Sequence, residues 1–305
     1  MDYKKFRKKL GRFVGWLALK TCSLIIRVLP MRYIYAFAGG VAFLGYYIAG
    51  KQRKIALHSL SVAFGKEKSA SEIEKIAKDC FSFMAKSGVE VLFFMNKPRL
   101  IDQRFSMEGK ENLDRALSKG KGVILISAHF GNFPLMLAKI SIAGYPTSAI
   151  MRPMRDPRTE KIFSREREKL KIKTIYSQPR NACVGGTIEA LRNNELVFIP
   201  VDQNFGTAGV FVDFFGRKAA TATGPVIFAQ RTKAAIVPCF TIRNQDDTHR
   251  IVFEPELDME KGSSPQETII KNIQKITDII ECYIRRHPAE WGWIHRRWKT
   301  QEKEV

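Results

Sequence analysis

Paired cysteines, zinc spacings and acidic residues are all in short supply in this chain, and each shortage excludes something. Cys22, Cys80, Cys183, Cys239 and Cys282 are odd in number and widely scattered. They offer no disulfide framework and suit a reducing, cytosol-facing domain, each as a small buried hydrophobe. His58, His249 and His287 stand at no ligand spacing from one another, so no metal and no other cofactor is expected. Asp and Glu total 30 against 51 Lys and Arg, a net charge of +21. That excess calls for an anionic partner: nucleic acid, a membrane surface, or an acidic substrate or carrier. Nucleic acid ranks behind the membrane, and no nucleic-acid partner is expected, because zinc spacing, RNA-binding aromatics and zipper heptads are all missing. Hydrophobic residues make up 45% of the 305 positions, ample for a buried core and too few for a multi-span transporter.

Long apolar runs are confined to the start. A basic cluster at 2–12 precedes Phe13–Leu29, which carries Lys20 and Arg27, and then Tyr33–Gly50, uncharged over 18 residues. A helix needs about 20 apolar residues to cross a bilayer, so the second stretch is just long enough. A cleaved signal peptide would have a shorter apolar core followed by a cleavage site, whereas a second, longer stretch follows here. The other rival is a buried soluble helix pair, since Gly39, Gly40 and Gly45 weaken a free-standing span. Basic residues flank both ends of the pair, and only Arg32 charges the turn between, a pattern for a hairpin entering and leaving on the cytoplasmic side. Apolar helices with a polybasic collar supply the two signals that stable anchoring needs. Residues 1–54 are therefore expected to be a membrane anchor and 55–305 a single catalytic domain.

That domain reads as α/β. Ser71 with Glu74 three residues on opens a helix over Ser71–Met95. Gly122–Ser127 contains an apolar run of strand length, the mark of a strand covered on both faces. Further strands are expected at Thr147–Met151, Leu196–Val201, Ala235–Arg243 and Arg250–Glu254. Helical stretches fall between them, and a long helix over Pro265–Arg286 closes the series. The alternation predicts a mostly parallel central sheet flanked by helices.

His129 follows the apolar strand in Ser127-Ala-His-Phe-Gly-Asn132. Ligands of open α/β sheets bind at the carboxyl ends of strands, and His is the side chain best suited to take a proton near neutral pH. A His satisfied by backbone at a strand end is the competing account. Gly131 would let the backbone approach a ligand, with Asn132 or Phe133 opening the next helix.

Several separated motifs carry a resemblance over about residues 15–300. They are Gly120–Asn132, Met151-Arg-Pro153, Val201–Asn204 leading into Gly209–Gly216, Ala219–Pro225 and His287–Thr300. The chain resembles the late acyltransferases of lipid A biosynthesis, the lauroyl and myristoyl transferases of lipopolysaccharide assembly. The resemblance implies a glycerolipid-acyltransferase-like fold at the bacterial inner membrane, with the catalytic domain facing the cytoplasm. It also implies transfer of a fatty acyl chain from an acyl-carrier-protein thioester to a hydroxyl of a glycolipid acceptor, with His129 as general base. Other acceptors fit the same motifs: a lysophospholipid, an aminolipid or a glycosylated phosphatidylinositol.

The family's motif is His, four residues, then an acid, and the acid's position here is Pro134. Such a carboxylate holds the imidazole tautomer and stabilises the imidazolium. Asp202, which also ends a predicted strand, is the first candidate to replace it, and Glu108 the second. His129 working alone or through a water, and a non-catalytic relative that binds lipid or carrier, stay open. Among candidate substrate contacts, Asn132 belongs to the His129 motif, and Arg152 suits a phosphate or the developing charge. Gln203 follows Asp202, where the segment orients polar groups or caps a strand end. Phe211 and Phe215 form an acyl-chain wall or ordinary core. Arg296 lies with Trp291, Trp293 and Trp298 in a mixture that suits a membrane interface, or a packed tail with solvated charges.

Overall fold

The computed structural model describes residues 3–302, so the first residue of the basic cluster lies outside the described residues. Four helices lead: α1 (Tyr3–Val28), α2 (Met31–Ile48), α3 (Gly50–Phe64) and α4 (Ala70–Phe94). On α2, Ile34, Ala38, Ala42 and Tyr46 recur every fourth residue and are buried. This is the spacing of one helix face, and it packs on α4, with Tyr46 edge-on to Phe81. The other side of α2 exposes Phe37, Phe43, Leu44 and Ile48, and α1 exposes Phe13, Leu17, Leu24 and Val28.

Among the described residues no single helix is long and apolar enough to cross a membrane; α2 and α3 reach that length only as a pair bent by 87°. The span expected over 33–50 is therefore not one helix of crossing length: α2 ends at Ile48, and the chain turns at Ala49 into the more polar α3. The capping box of α4 also differs from the one expected. Ser-x-x-Glu occurs twice here, and Ser69 with Glu72 takes the cap, leaving Glu74 to pair with Lys78 one turn on.

After α4 come α5 (Pro98–Arg104), β1 (Phe105–Glu108), α6 (Lys110–Leu117), β2 (Val123–Ser127), α7 (Phe133–Ile142), β3 (Thr147–Met151), α8 (Pro157–Lys169), β4 (Ile172–Tyr176), α9 (Arg180–Arg192) and β5 (Leu196–Pro200). Then follow β6 (Val210–Phe214), β7 (Arg217–Thr221), α10 (Gly224–Thr232), β8 (Ala235–Arg243), β9 (His249–Phe253) and α11 (Pro265–Arg286). Seven strands form one sheet in the order β1-β9-β8-β2-β5-β3-β4. All its pairings are parallel except β8 with β9.

The sheet is mostly parallel because most strands return through a helix, and a parallel strand needs such a crossover. β2 shows why residues 123–126 are an unbroken apolar run. Ile124 and Ile126 join a core with Leu191 of α9 and Ile276 and Ile280 of α11. Val123 and Leu125 join a second core with Leu113 of α6 and Leu135 of α7. With both faces covered, the run stays apolar up to the strand's last position, Ser127.

β6 and β7 form a separate antiparallel hairpin, and of the two accounts of 209–216 it favours ordinary core for Phe214 and Phe215. Phe215 and Gly216 occupy the two-residue turn with positive φ, the conformation that matches strand twist. Phe214 and Phe215 are buried and pack on Trp298 and Trp293. Phe211 is half-buried on β6.

Candidate functional site

β2 and β5 are neighbours, with Ser127 in register with Pro200. Two residues beyond each strand, on the same carboxyl edge, stand His129 and Asp202. His129 Nδ1 lies 2.9 Å from Asp202 Oδ1. The carboxylate is only 2% exposed, while the imidazole is 35% exposed, so the buried acid faces inward and the ring reaches the surface. An ionised carboxylate only accepts, so Nδ1 carries the proton and Nε2 keeps its lone pair. The ring edge rests on Phe133 at 5.4 Å. Trp291 Nε1 donates to Asp202 Oδ2 at 2.7 Å.

Opposing effects set the protonation states. Burial pulls the His129 pKa down, but the Asp202 charge and hydrogen bond outweigh it, and the net direction is up. Burial likewise pushes Asp202 up; the His129 charge and the bonds from His129 and Trp291 outweigh it, and its pKa falls to about 2. Asp202 therefore stays charged at neutral pH, and His129 titrates above its ordinary value.

The loop that carries His129 is held from below. Gly131 has φ +60, and a Cβ there would meet the carbonyl oxygen of Thr241, so only glycine fits. Asn132 is buried, and its amide donates to Glu90 at 2.9 Å, so in this structure it supports the loop. Pro134, where a carboxylate was expected, sits in the first turn of α7, a position that suits proline because its missing N–H has no helical partner.

Glu90 is the centre of a second buried cluster. It accepts from Arg243 at 2.6 and 2.7 Å and from Tyr35 of α2 at 2.7 Å, with His249 Nε2 at 3.3 Å. Burial would raise its pKa, yet His249 and Arg243 hold it at about 2.

The remaining expected contacts separate into two groups. Arg152 directly follows β3 and is exposed, as are Gln203 and Arg296; Arg152 and Gln203 share the carboxyl edge with His129. Phe215 is inside the protein, like Asn132. Glu108, the second candidate acid, lies on the edge strand β1 and bonds Arg250 at 3.2 Å, with β9 and β8 between it and β2. Trp291, Trp293 and Trp298 are buried, which corrects the membrane-interface expectation for these rings. Sequence reasoning grouped Arg297 with the C-terminal cations, but it is buried and donates to the carbonyls of Gln203 and Ala220. Burial lowers its pKa to about 10. Sequence reasoning passed over Trp291 as a partner of Asp202, Glu90 and Arg243; only the double Trp motif near the C-terminus marked one of these. Among the described residues no cluster of His, Cys, Asp and Glu could hold a metal ion.

A wound α/β sheet carries a His–carboxylate pair at its carboxyl edge, where ligands of such sheets bind, and the outer imidazole nitrogen has a lone pair able to accept a proton. Comparison with known proteins then makes the class particular. Residues 1–300 match the model of the family described as bacterial lipid A biosynthesis acyltransferase, and the chain belongs to that family. It is an acyltransferase. It is 28% identical to a lipid A biosynthesis palmitoleoyltransferase of Escherichia coli K12 over 256 residues, 82% of this chain and 80% of that protein. It is 24% identical to the lipid A biosynthesis lauroyltransferase of the same organism over 298 residues, 96% and 94% of the two chains. A phosphatidylinositol mannoside acyltransferase of Mycobacterium tuberculosis is 26% identical over 197 residues, 64% of this chain and 60% of that protein.

Proposed function

We propose that this acyltransferase moves a fatty acyl chain from an acyl-carrier-protein thioester to a hydroxyl of a lipid A precursor or related glycolipid, with His129 as general base and Asp202 as its acid partner. The observation that carries this reading is the 2.9 Å pair itself, which supplies a carboxylate where Pro134 cannot. His129 Nε2 takes the acceptor's hydroxyl proton as that oxygen bonds to the thioester carbonyl carbon. The tetrahedral intermediate then collapses, the carbon–sulfur bond breaks, and the imidazolium returns the proton to the leaving sulfur. The products are an ester and a thiol. Asp202 keeps the imidazole in the productive tautomer and balances its charge at the midpoint.

The two Escherichia coli relatives are named for lipid A biosynthesis, and the mycobacterial one for a phosphatidylinositol mannoside. Both are glycosylated anionic lipids, which suits exposed Arg152 as a contact to acceptor phosphate. The apolar faces of α1 and α2, with the +21 net charge, support seating on the anionic inner face of the bacterial inner membrane. Residues 1–54 then act as anchor and 55–305 as the acyltransferase domain. Arg158, at the start of α8 on the carboxyl edge, lies over the rings of Phe13 and Trp16 of α1. The apolar helix therefore borders the edge that carries His129, where a lipid acceptor would arrive.

Purified protein and the His129→Ala variant, assayed with labelled acyl-carrier protein and acceptor lipid, test this reading. Background turnover by the variant and robust turnover by the parent are expected; equal turnover by both would sink it. Lipid mass spectrometry of a deletion strain tests the acceptor. Unchanged lipid A acylation with an altered phospholipid would move the assignment to the other acceptor class.

A further inference from the structure

Trp291 is 1% exposed, and its ring packs on Phe214 at 5.6 Å and Trp293 at 4.6 Å. A buried indole needs a partner for its N–H, and most such partners are backbone carbonyls. Here the partner is the carboxylate of the proton-transfer pair. The two oxygens of Asp202 are divided, one to His129 at 2.9 Å and the other to Trp291 at 2.7 Å.

The same short segment also holds the base. Phe130 and Trp291 form an antiparallel bridge. The Gly131 N–H donates to the Glu290 carbonyl at 2.9 Å, and the Gly292 N–H donates to the His129 carbonyl at 3.2 Å. The Trp291 carbonyl in turn accepts from Cys80 Sγ at 3.2 Å. Residues 290–292 therefore grip the backbone of the base and the side chain of the acid together. No other described segment does both.

We infer that Trp291 is a positioning residue of acyl transfer, whose indole N–H fixes the plane of the Asp202 carboxylate and so sets the tautomer of His129. The inference rests on the roles proposed above for His129 and Asp202. A carboxylate held at one oxygen only can swing away from the imidazole; held at both, it has one orientation. The N–H also spreads the carboxylate charge, which restrains how strongly Asp202 raises the pKa of His129.

This role has a signature that mere packing lacks. In Asp202→Asn the amide must choose which end faces which neighbour. The Trp291 N–H can donate only to the amide oxygen, which leaves the NH2 facing Nδ1. Nδ1 then becomes an acceptor, the proton moves to Nε2, and the base is lost. Removing the N–H as well frees the amide to turn its oxygen toward Nδ1.

The test compares Trp291→Phe, Asp202→Asn, the double variant Asp202→Asn/Trp291→Phe, and His129→Ala in the purified full chain. Trp291→Phe should lower kcat by about ten- to a hundredfold, the scale of one charge-assisted hydrogen bond. KM should stay unchanged, and the acid limb of kcat/KM should move to higher pH. The double variant should regain roughly tenfold or more over Asp202→Asn. Wild-type kcat and pH profile in Trp291→Phe, or a double variant no faster than Asp202→Asn, overturns the inference while leaving the proposed function standing. Wild-type turnover by His129→Ala overturns the proposed function instead. Should Trp291→Phe fail to fold, site-specific replacement of Trp291 by its benzothiophene isostere removes the N–H at nearly constant shape. The same loss of kcat and shift of the acid limb are then required.

Discussion

Replacing Arg243 by Met takes from Glu90 its one permanently charged partner beneath the His129 loop, leaving the Tyr35 and Asn132 donors, and the cost follows from the geometry. Glu90 is 0% exposed, and Arg243 supplies its two shortest donors, at 2.6 and 2.7 Å. Breaking a buried ion pair from one side typically costs 3–5 kcal/mol, because the surviving charge has no water to return to. The loss should depend on pH through His249, whose Nε2 is 3.3 Å from the same carboxylate. In the parent protein burial holds the His249 pKa below its ordinary value, with Arg243 adding to that and Glu90 opposing it. Without Arg243 one of the charges that hold His249 down is gone, and its folded pKa moves up from the parent's value. Relative to the parent, a shift in that direction contributes stability that is complete below the parent's folded pKa and disappears as pH rises through the variant's.

Arg243→Met should therefore lose about 3–5 kcal/mol at pH 8 and less at pH 6. At about 2 °C per kcal/mol for a chain of this size, the pH 8 loss is roughly 6–10 °C in Tm. Circular dichroism melts of the detergent-solubilised protein at both pH values measure it. Equal losses at pH 6 and pH 8, or a total loss under about 1 kcal/mol, would refute the argument.

Asp202→Asn should fold normally and lose about a thousand- to ten-thousandfold in kcat, read in the labelled acyl-transfer assay; a loss below about tenfold would show that His129 does not depend on Asp202. Gly131→Ala drives a methyl group into the Thr241 carbonyl oxygen at a φ of +60. It should cost at least about 1–3 kcal/mol and abolish turnover, a pairing visible in melts and assays of one preparation. Glu290, whose pKa burial raises to about 7, should destabilise the fold once ionised. The stability present below its unfolded pKa of about 4.5 is lost as pH rises to about 7. Glu290→Gln should therefore raise the Tm relative to the parent at pH 8, by up to about 3 kcal/mol in stability, and the gap should close by pH 5. A constant gap would contradict the buried-acid account.

The sheet was legible wherever burial is complete. β2 reads directly as Val-Ile-Leu-Ile, and β8 and α11 take the ranges that their patterns predict, Ala235–Arg243 and Pro265–Arg286. The edge strands were not legible. β4, Ile172-Lys-Thr-Ile-Tyr, is partly exposed with a lysine in it, and β1 is only four residues long; neither carries enough apolar signal to stand out. At the site, strand ends pointed to both His129 and Asp202, because a polar residue after a buried strand is unusual on either. Trp291 and Glu90 gave no such signal. An indole among cations reads as a membrane-facing ring until the fold buries it, and a glutamate in an amphipathic helix reads as solvated. Their partners stand 89 and 153 residues away, beyond any local pattern.

In the proposed mechanism the acid and base follow different strands, 73 residues apart in the chain. A loop alone therefore carries half of the chemistry, and the other half arrives only when β5 pairs with β2. Activity is in that sense a readout of correct sheet assembly, and a misregistered or partly folded chain has no low-level version of it. The same arrangement changes how relatives should be sorted. A search for an acid at a fixed spacing after the histidine would discard this chain as inert, whereas inspection of positions 129 and 202 together would keep it.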